Sequence, residues 1–145
     1  MTFRNVTFKL SEKLFITCVI IDSISQVCCR NVTNLYLKKI HGCMVVYDIT
    51  DLKSFNECKN YCRPAILEKC NEDIKVMLVG NKADLEDERK ISKEEGLKFA
   101  KENNYLFRET SCLNLDSVVE AFETLIIETF NNIKNKDDLL KLKSF

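Results

Sequence analysis

"LVGNKADLEDERKIS", residues 78–92, decides how this chain is read. An apolar run ends at Gly80, and Asn81-Lys82-Ala83-Asp84 follows at once. A carboxylate carried at the end of a buried strand is well placed to read the edge of a base. Upstream, "IKVMLVGNK" (74–82) and "GCMVVYDIT" (42–50) are compact apolar runs with β-branched residues, and "YLFRETS" (105–111) is a shorter run of the same kind. Runs so nearly continuous suit strands covered on both faces, as in a parallel sheet. "FKLSEKLFITCVIID" (8–22) reads instead as two strands around the polar turn Ser11-Glu12-Lys13.

Helical stretches separate these runs. Ser92 and Glu95 have the spacing of a capping box, with Leu97, Phe99 and Ala100 behind them. Ser117 and Glu120 repeat that spacing, and Val118, Val119, Phe122, Leu125, Ile126 and Phe130 then form one apolar stripe. Another helix is expected after Asp51, kinked or split near Arg63 by Pro64. Alternating strands and helices predict a doubly wound α/β domain of three layers, α/β/α, over residues 1–134, followed by a polar tail, 135–145. In that architecture ligands bind at the carboxyl ends of the strands. Asp22, Asp48, Asn81 and Ser111 all follow strand ends and are expected on one edge.

Composition narrows the class. The 145 residues suffice for one domain, and 46% apolar with 30% charged residues matches a globular chain rather than a disordered one. Lys plus Arg equals Asp plus Glu, 22 each, so no strong field points to nucleic acid. The longest apolar run, Leu14–Ile21, is far too short to cross a bilayer. The 8 cysteines read as thiols of a reducing compartment rather than a disulfide framework. Cys58 and Cys62 are spaced to face a metal together, but the single His41 is remote and no second such pair exists, which argues against zinc.

Three stretches in this order and spacing, "VVYDITDLKSF", "LVGNKADL" and "ETSCLNLDSVVEAF", resemble the small GTPases of the Ras superfamily, and the Rab branch above all. The resemblance runs from residue 6 to residue 132 and implies a guanine-nucleotide (GTP/GDP) switch of intracellular vesicle traffic. In the family's N-K-x-D box the aspartate accepts two N–H bonds from the guanine edge, which implies that role for Asp84. A charged acceptor matched to two donors discriminates well, because the wrong base leaves a buried carboxylate unpaired. Lys82 would lay its stem along the base, and Asn81 would tie the loop to its neighbours. Glu109-Thr110-Ser111-Cys112-Leu113 resembles the E-T-S-A-K box, whose backbone N–H meets the guanine carbonyl. Ser111, Cys112 and Leu113 therefore complete the implied guanine-binding set.

The phosphate half of the family's site has no counterpart in these residues. The family's G-x-x-x-x-G-K-S/T loop cradles phosphates and holds Mg2+. Here the three glycines, Gly42, Gly80 and Gly96, belong to no such loop. "IIDSISQ" lines up with the family's second switch, so Asp22 would act on Mg2+ through water and Gln26 on the attacking water. Ser25 replaces a flexible glycine there. Each hydrogen bond to a charged group contributes roughly 1.5–3 kcal/mol, so losing several phosphate contacts costs several powers of ten in affinity. Tight GTP binding and hydrolysis by these residues alone are therefore not expected. The reading takes the chain as a small-GTPase domain without its first strand, first helix and phosphate loop. The strands "LFITCVII" and "CMVVYDI" would then flank a vacancy or pair directly. The alternative function is a nucleotide-independent interaction module. The partners implied are Rab-type effectors and regulators, with no nucleic acid, and a monomer is expected. No transmembrane segment is present, and the last cysteine is Cys112, so no prenylation motif is expected; the implied location is cytoplasmic, peripheral to endomembranes.

Overall fold

The computed structural model describes residues 2–9, 12, 15–22 and 38–134. Strands β1 (Thr2–Lys9) and β2 (Phe15–Asp22) form an antiparallel hairpin, in register from Thr2↔Asp22 to Lys9↔Phe15. Both strands expected around the polar turn are present, and the first begins earlier than the apolar pattern marked, at Thr2. Exposure alternates along β2, as it should in a strand with one face toward water.

The second sheet positions the site. Strands β3 (Gly42–Asp48), β4 (Lys75–Asn81) and β5 (Leu106–Glu109) run parallel, with β4 in the middle. The central strand is buried from Val76 to Gly80, and its side chains alternate between two cores. Val76 and Leu78 join Val45, Tyr47, Phe55, Ile66 and Ala100 on one face. Met77 and Val79 join Ala121 and Leu125 on the other. Each fully buried side chain of this size contributes about 1.5–3 kcal/mol relative to exposure, so a central strand with no polar side chain between Lys75 and Asn81 is what stabilises the sheet. Helices lie on both faces, which gives the expected three-layer α/β/α arrangement.

The three helical stretches read from the sequence are present, and the last departs from its pattern in detail. The helix after Asp51 begins as expected, with the Asp51 carboxylate accepting from the Lys53 amide at 2.9 Å. It runs as α1 (Leu52–Glu57), a π-helical turn (Cys58–Cys62) and α2 (Arg63–Lys69). Pro64 has no N–H to donate, and the wider turn just before it, where the Arg63 amide reaches back to the Cys58 carbonyl, absorbs the mismatch. In α3 (Lys93–Glu102) the Ser92 hydroxyl caps the Glu95 amide at 3.1 Å, as its spacing predicts. The last helix, α4 (Leu115–Lys134), starts before Ser117. Asn114 is its cap, accepting from the Ser117 amide at 3.3 Å, and the Ser117 hydroxyl is used elsewhere. On α4 the buried positions are Ala121 and Leu125, whereas Val119 is 42% exposed.

β2 and β3 do not pair with each other. Each has one partner strand among the described residues, β1 and β4 respectively, and Val46 on β3 is 55% exposed. No helix among the described residues is long and apolar enough to cross a membrane.

Tyr47 holds α3 close to the sheet. Its hydroxyl is buried and has no hydrogen-bond partner among the described residues. A Cβ added at Gly96 would sit 2.5 Å from that oxygen and 2.9 Å from the Phe107 ring. Gly96→Ala is therefore expected to cost about 1–3 kcal/mol by overpacking, despite the helix preference of alanine. Tyr47→Phe removes an unsatisfied hydroxyl and is expected to be neutral or stabilising. Urea unfolding of both single variants and the double variant checks this: the double variant should lose less than Gly96→Ala alone.

Candidate functional site

The carboxyl ends of the three parallel strands bring polar residues together. Asp48 lies in register with Asn81, and Gly80 with Glu109, so the loops that follow β4 and β5 leave the sheet side by side. Backbone bonds join them: the Thr110 amide donates to the Gly80 carbonyl at 2.9 Å, and the Ala83 amide to the Thr110 carbonyl at 3.0 Å. The Thr110 hydroxyl bonds Asn81 Oδ1 at 3.2 Å. Thr110 and Ser111 are buried polar residues, and both are satisfied by this pairing of loops.

Asp84 stands at the mouth. Its Oδ1 accepts a short hydrogen bond from the Ser111 hydroxyl, and its second oxygen has no partner among the described residues. The same Ser111 oxygen accepts from the Leu113 amide at 3.0 Å, while the Ser111 amide donates to the Ser117 hydroxyl at 3.1 Å. Ser117 also donates to the Asn114 carbonyl at 2.7 Å. The serine that the sequence pattern marked as a helix cap thus braces the site loop from inside the first turn of α4. Cys112 is exposed, and its amide has no acceptor among the described residues. Leu113 is 85% exposed. One fixed carboxylate with an open oxygen therefore lies across from a loop with one unused N–H.

Lys82 adopts the left-handed conformation, φ 64°, which costs a non-glycine residue about 1–2 kcal/mol. The Leu85 amide donates to its carbonyl at 2.9 Å, and its ammonium reaches Asp48 Oδ2 at 2.6 Å. Asp48 also accepts from the Thr50 amide and hydroxyl, both at 2.8 Å. Burial opposes ionisation of Asp48, but the Lys82 and Thr50 hydrogen bonds outweigh it and hold the carboxyl below its ordinary value. The Asp48 contact in turn raises the Lys82 ammonium.

A second charged group clamps the outer part of both loops. Arg89 bonds Glu109 through two nitrogens, at 2.7 and 3.1 Å, and Glu86 through two more contacts, at 2.9 and 2.8 Å. It also donates to the Ile91 carbonyl at 3.0 Å.

Of the residues singled out from sequence, the structure gathers Asn81, Lys82, Asp84, Ser111, Cys112 and Leu113 in one place. Asp22 ends β2 in the separate hairpin, and no hydrogen bond or ion pair among the described residues joins it to them. Gln26 lies outside the described residues. Asp48 lies on the edge where its position after a strand placed it, whereas Arg89 and Ser117 belong to the site and carried no sequence assignment there; for Arg89 the i, i+3 spacing from Glu86 was a visible signal.

The fit to an implied ligand differs between its two ends. An open carboxylate oxygen and a free backbone N–H, on loops fixed to each other, match the donor–donor–acceptor edge of guanine. For phosphates and Mg2+ the described residues offer no cradle: Gly42, Gly80 and Gly96 are packed in strands and a helix, where an added Cβ would meet neighbouring side chains within 3 Å. No group of three or more His, Cys, Asp or Glu among the described residues is placed to hold a metal ion.

Comparison with known proteins agrees with this geometry. The model of the Ras family matches residues 2–131. The chain is 41% identical over 115 residues to Ras-related protein RABA5b of Arabidopsis thaliana, covering 79% of this chain and 52% of that protein. It is 38% identical to the GTP-binding protein ypt3 of Schizosaccharomyces pombe and 39% to human Ras-related protein Rab-8B, covering 53% and 55% of those proteins. The fold and the loops at the strand ends are those of a Ras-superfamily α/β domain. The chain belongs to the Ras family, and it is Rab-like. It spans about half the length of the curated relatives it matches.

Two outcomes follow from the loop geometry. Ser117→Ala removes the acceptor for the Ser111 amide and should cost about 1–3 kcal/mol. Amide hydrogen exchange should quicken at Ser111 and Leu113, with little change at β4. The Asp48 carboxyl should titrate below the ordinary aspartate value of about 3.9. Its contribution to stability is full above that value and is lost as the pH falls through the lower folded one, which a carboxyl carbon NMR titration checks.

Proposed function

We propose that this chain is the guanine-reading part of a Rab-like nucleotide switch in vesicle traffic, binding GTP and GDP. The observation that carries this reading is the Asp84 carboxylate, held on one oxygen by Ser111 and without a partner on the other among the described residues, next to the loop that carries the Cys112 amide. Guanine presents a ring N–H and an amino group, two donors for Asp84, beside a carbonyl oxygen that accepts from the Cys112 N–H. Adenine reverses the pattern. It would set a ring nitrogen lone pair against the carboxylate and an amino group against the amide, leaving a charge unpaired in the site.

In this reading Lys82, its ammonium tethered to Asp48, covers one face of the base with its stem. Asn81 links the loop to Thr110. Ser111 and Leu113 shape the loop that presents the Cys112 amide. Asp22 and Gln26 would serve the magnesium-bound water and the attacking water where a phosphate-binding loop is supplied. Phosphoryl transfer depends on positioning and charge stabilisation around the phosphates, so base recognition is the step assigned to the described residues. The working unit is one domain, residues 1–134, acting as a monomer with a polar tail, 135–145, at the cytoplasmic face of endomembranes. Its partners would be effectors and regulators of Rab type.

The packing of all three glycines favours a second reading, a nucleotide-independent interaction module that keeps the fold for partner binding. Thermal unfolding with GDP or with ADP separates the two. The guanine reading expects a rise in melting temperature with GDP and little with ADP, and loss of that difference in Asp84→Asn. Equal responses to both nucleotides in the unaltered chain would sink it.

A further inference from the structure

We infer that Arg89 and Glu109 are positioning residues of the guanine site: their ion pair sets the distance between the loop that carries Asp84 and the loop that carries Cys112. The inference rests on the guanine reading and extends it to residues that touch no part of the base.

The geometry is specific. Glu109 immediately precedes Thr110 and Ser111, and Glu86 follows Asp84 by two positions. Arg89 bridges these two points. Its Nη1 and Nη2 meet the two Glu109 oxygens at 2.7 and 3.1 Å, while Nε and Nη2 meet the two Glu86 oxygens at 2.9 and 2.8 Å. With the Nη1 bond to the Ile91 carbonyl, five contacts match the five N–H donors of a guanidinium. The fork is held flat between two carboxylates, and neither loop can slide without breaking paired bonds.

The two halves of the fork differ in burial. Arg89 and Glu109 side chains are 14% and 11% exposed, whereas Glu86 is 68% exposed. A nearly buried ion pair is a weak source of net stability, because desolvation offsets most of its attraction, but it enforces one arrangement. The other ties between the two loops all run through Thr110 and Ser111: the Thr110 amide to Gly80, the Ala83 amide to the Thr110 carbonyl, the Thr110 hydroxyl to Asn81, and the Ser111 hydroxyl to Asp84; none fixes the outer part beyond Asp84. Base reading requires the Asp84 oxygen and the Cys112 amide to meet one rigid edge at once, so a small relative shift costs one of the two contacts. Lysine cannot reproduce a bidentate bridge, so Arg89→Lys keeps the charge and loses the spacing.

The experiment measures GDP and ADP affinities of the whole chain by amide NMR titration at millimolar nucleotide, alongside thermal unfolding. The variants are Arg89→Lys, Glu109→Gln and Glu86→Gln. Arg89→Lys and Glu109→Gln should each lower the GDP-to-ADP affinity ratio by about tenfold or more, the loss of one charged hydrogen bond. Glu86→Gln breaks only the exposed arm and should leave the ratio near that of the unaltered chain. If one of the first two variants does not fold, the other decides. Lower melting temperatures with an unchanged ratio would overturn the positioning role and leave the guanine reading in place. No preference for GDP in the unaltered chain would overturn both.

Discussion

Strand β4 is paired along both edges and covered on both faces, and the rest of the molecule is arranged around that burial. Its backbone groups are satisfied by β3 on one side and β5 on the other, while Val76, Met77, Leu78 and Val79 feed two separate cores. Such a strand can carry polar side chains only at its ends and beyond. Asn81, Lys82 and Asp84 therefore appear together at its carboxyl end, and the register with β3 and β5 sets Asp48 and Glu109 beside them. The chemistry of the site follows from where the core stops.

From that edge outward, the structure replaces apolar burial with paired polar groups. Thr110 and Ser111 remain buried because each hydroxyl has a partner in the neighbouring loop. Arg89 and Asp48 satisfy the charges that follow. The result is two loops fastened at several points, with the second Asp84 oxygen and the Cys112 amide left without partners among the described residues. A base-reading site needs donors and acceptors that are fixed before the ligand arrives, since ordering them on binding would cost affinity. Here the ordering is done by bonds within the protein.

The parallel sheet was legible because "VMLVG" and "MVVYD" are apolar without alternation, and the hairpin because the polar Ser11-Glu12-Lys13 separates two apolar stretches. Ser92 was legible as a cap because its partner lies three residues on. Ser117 had the same local signature and misled, because the bond that decides its role runs backward to Ser111, and Asn114 competes for the cap. The apolar stripe on α4 was drawn through Val119 rather than Ala121. Helical spacing marks large apolar residues, yet the close approach of α4 to β4 favours a small one.

By itself the sequence determined the family, the order of strands and helices, and which polar residues follow the strand ends. Those properties live in short local patterns, namely apolar runs, caps and the spacing of three motifs. The tertiary structure alone decided which charges meet. Lys82 with Asp48, and Arg89 with Glu109, are separated along the chain by other elements and come within bonding distance only because parallel strands in register end at the same edge. Pairing of that kind leaves no periodic trace in the sequence, since it depends on the geometry of the sheet and not on neighbouring residues.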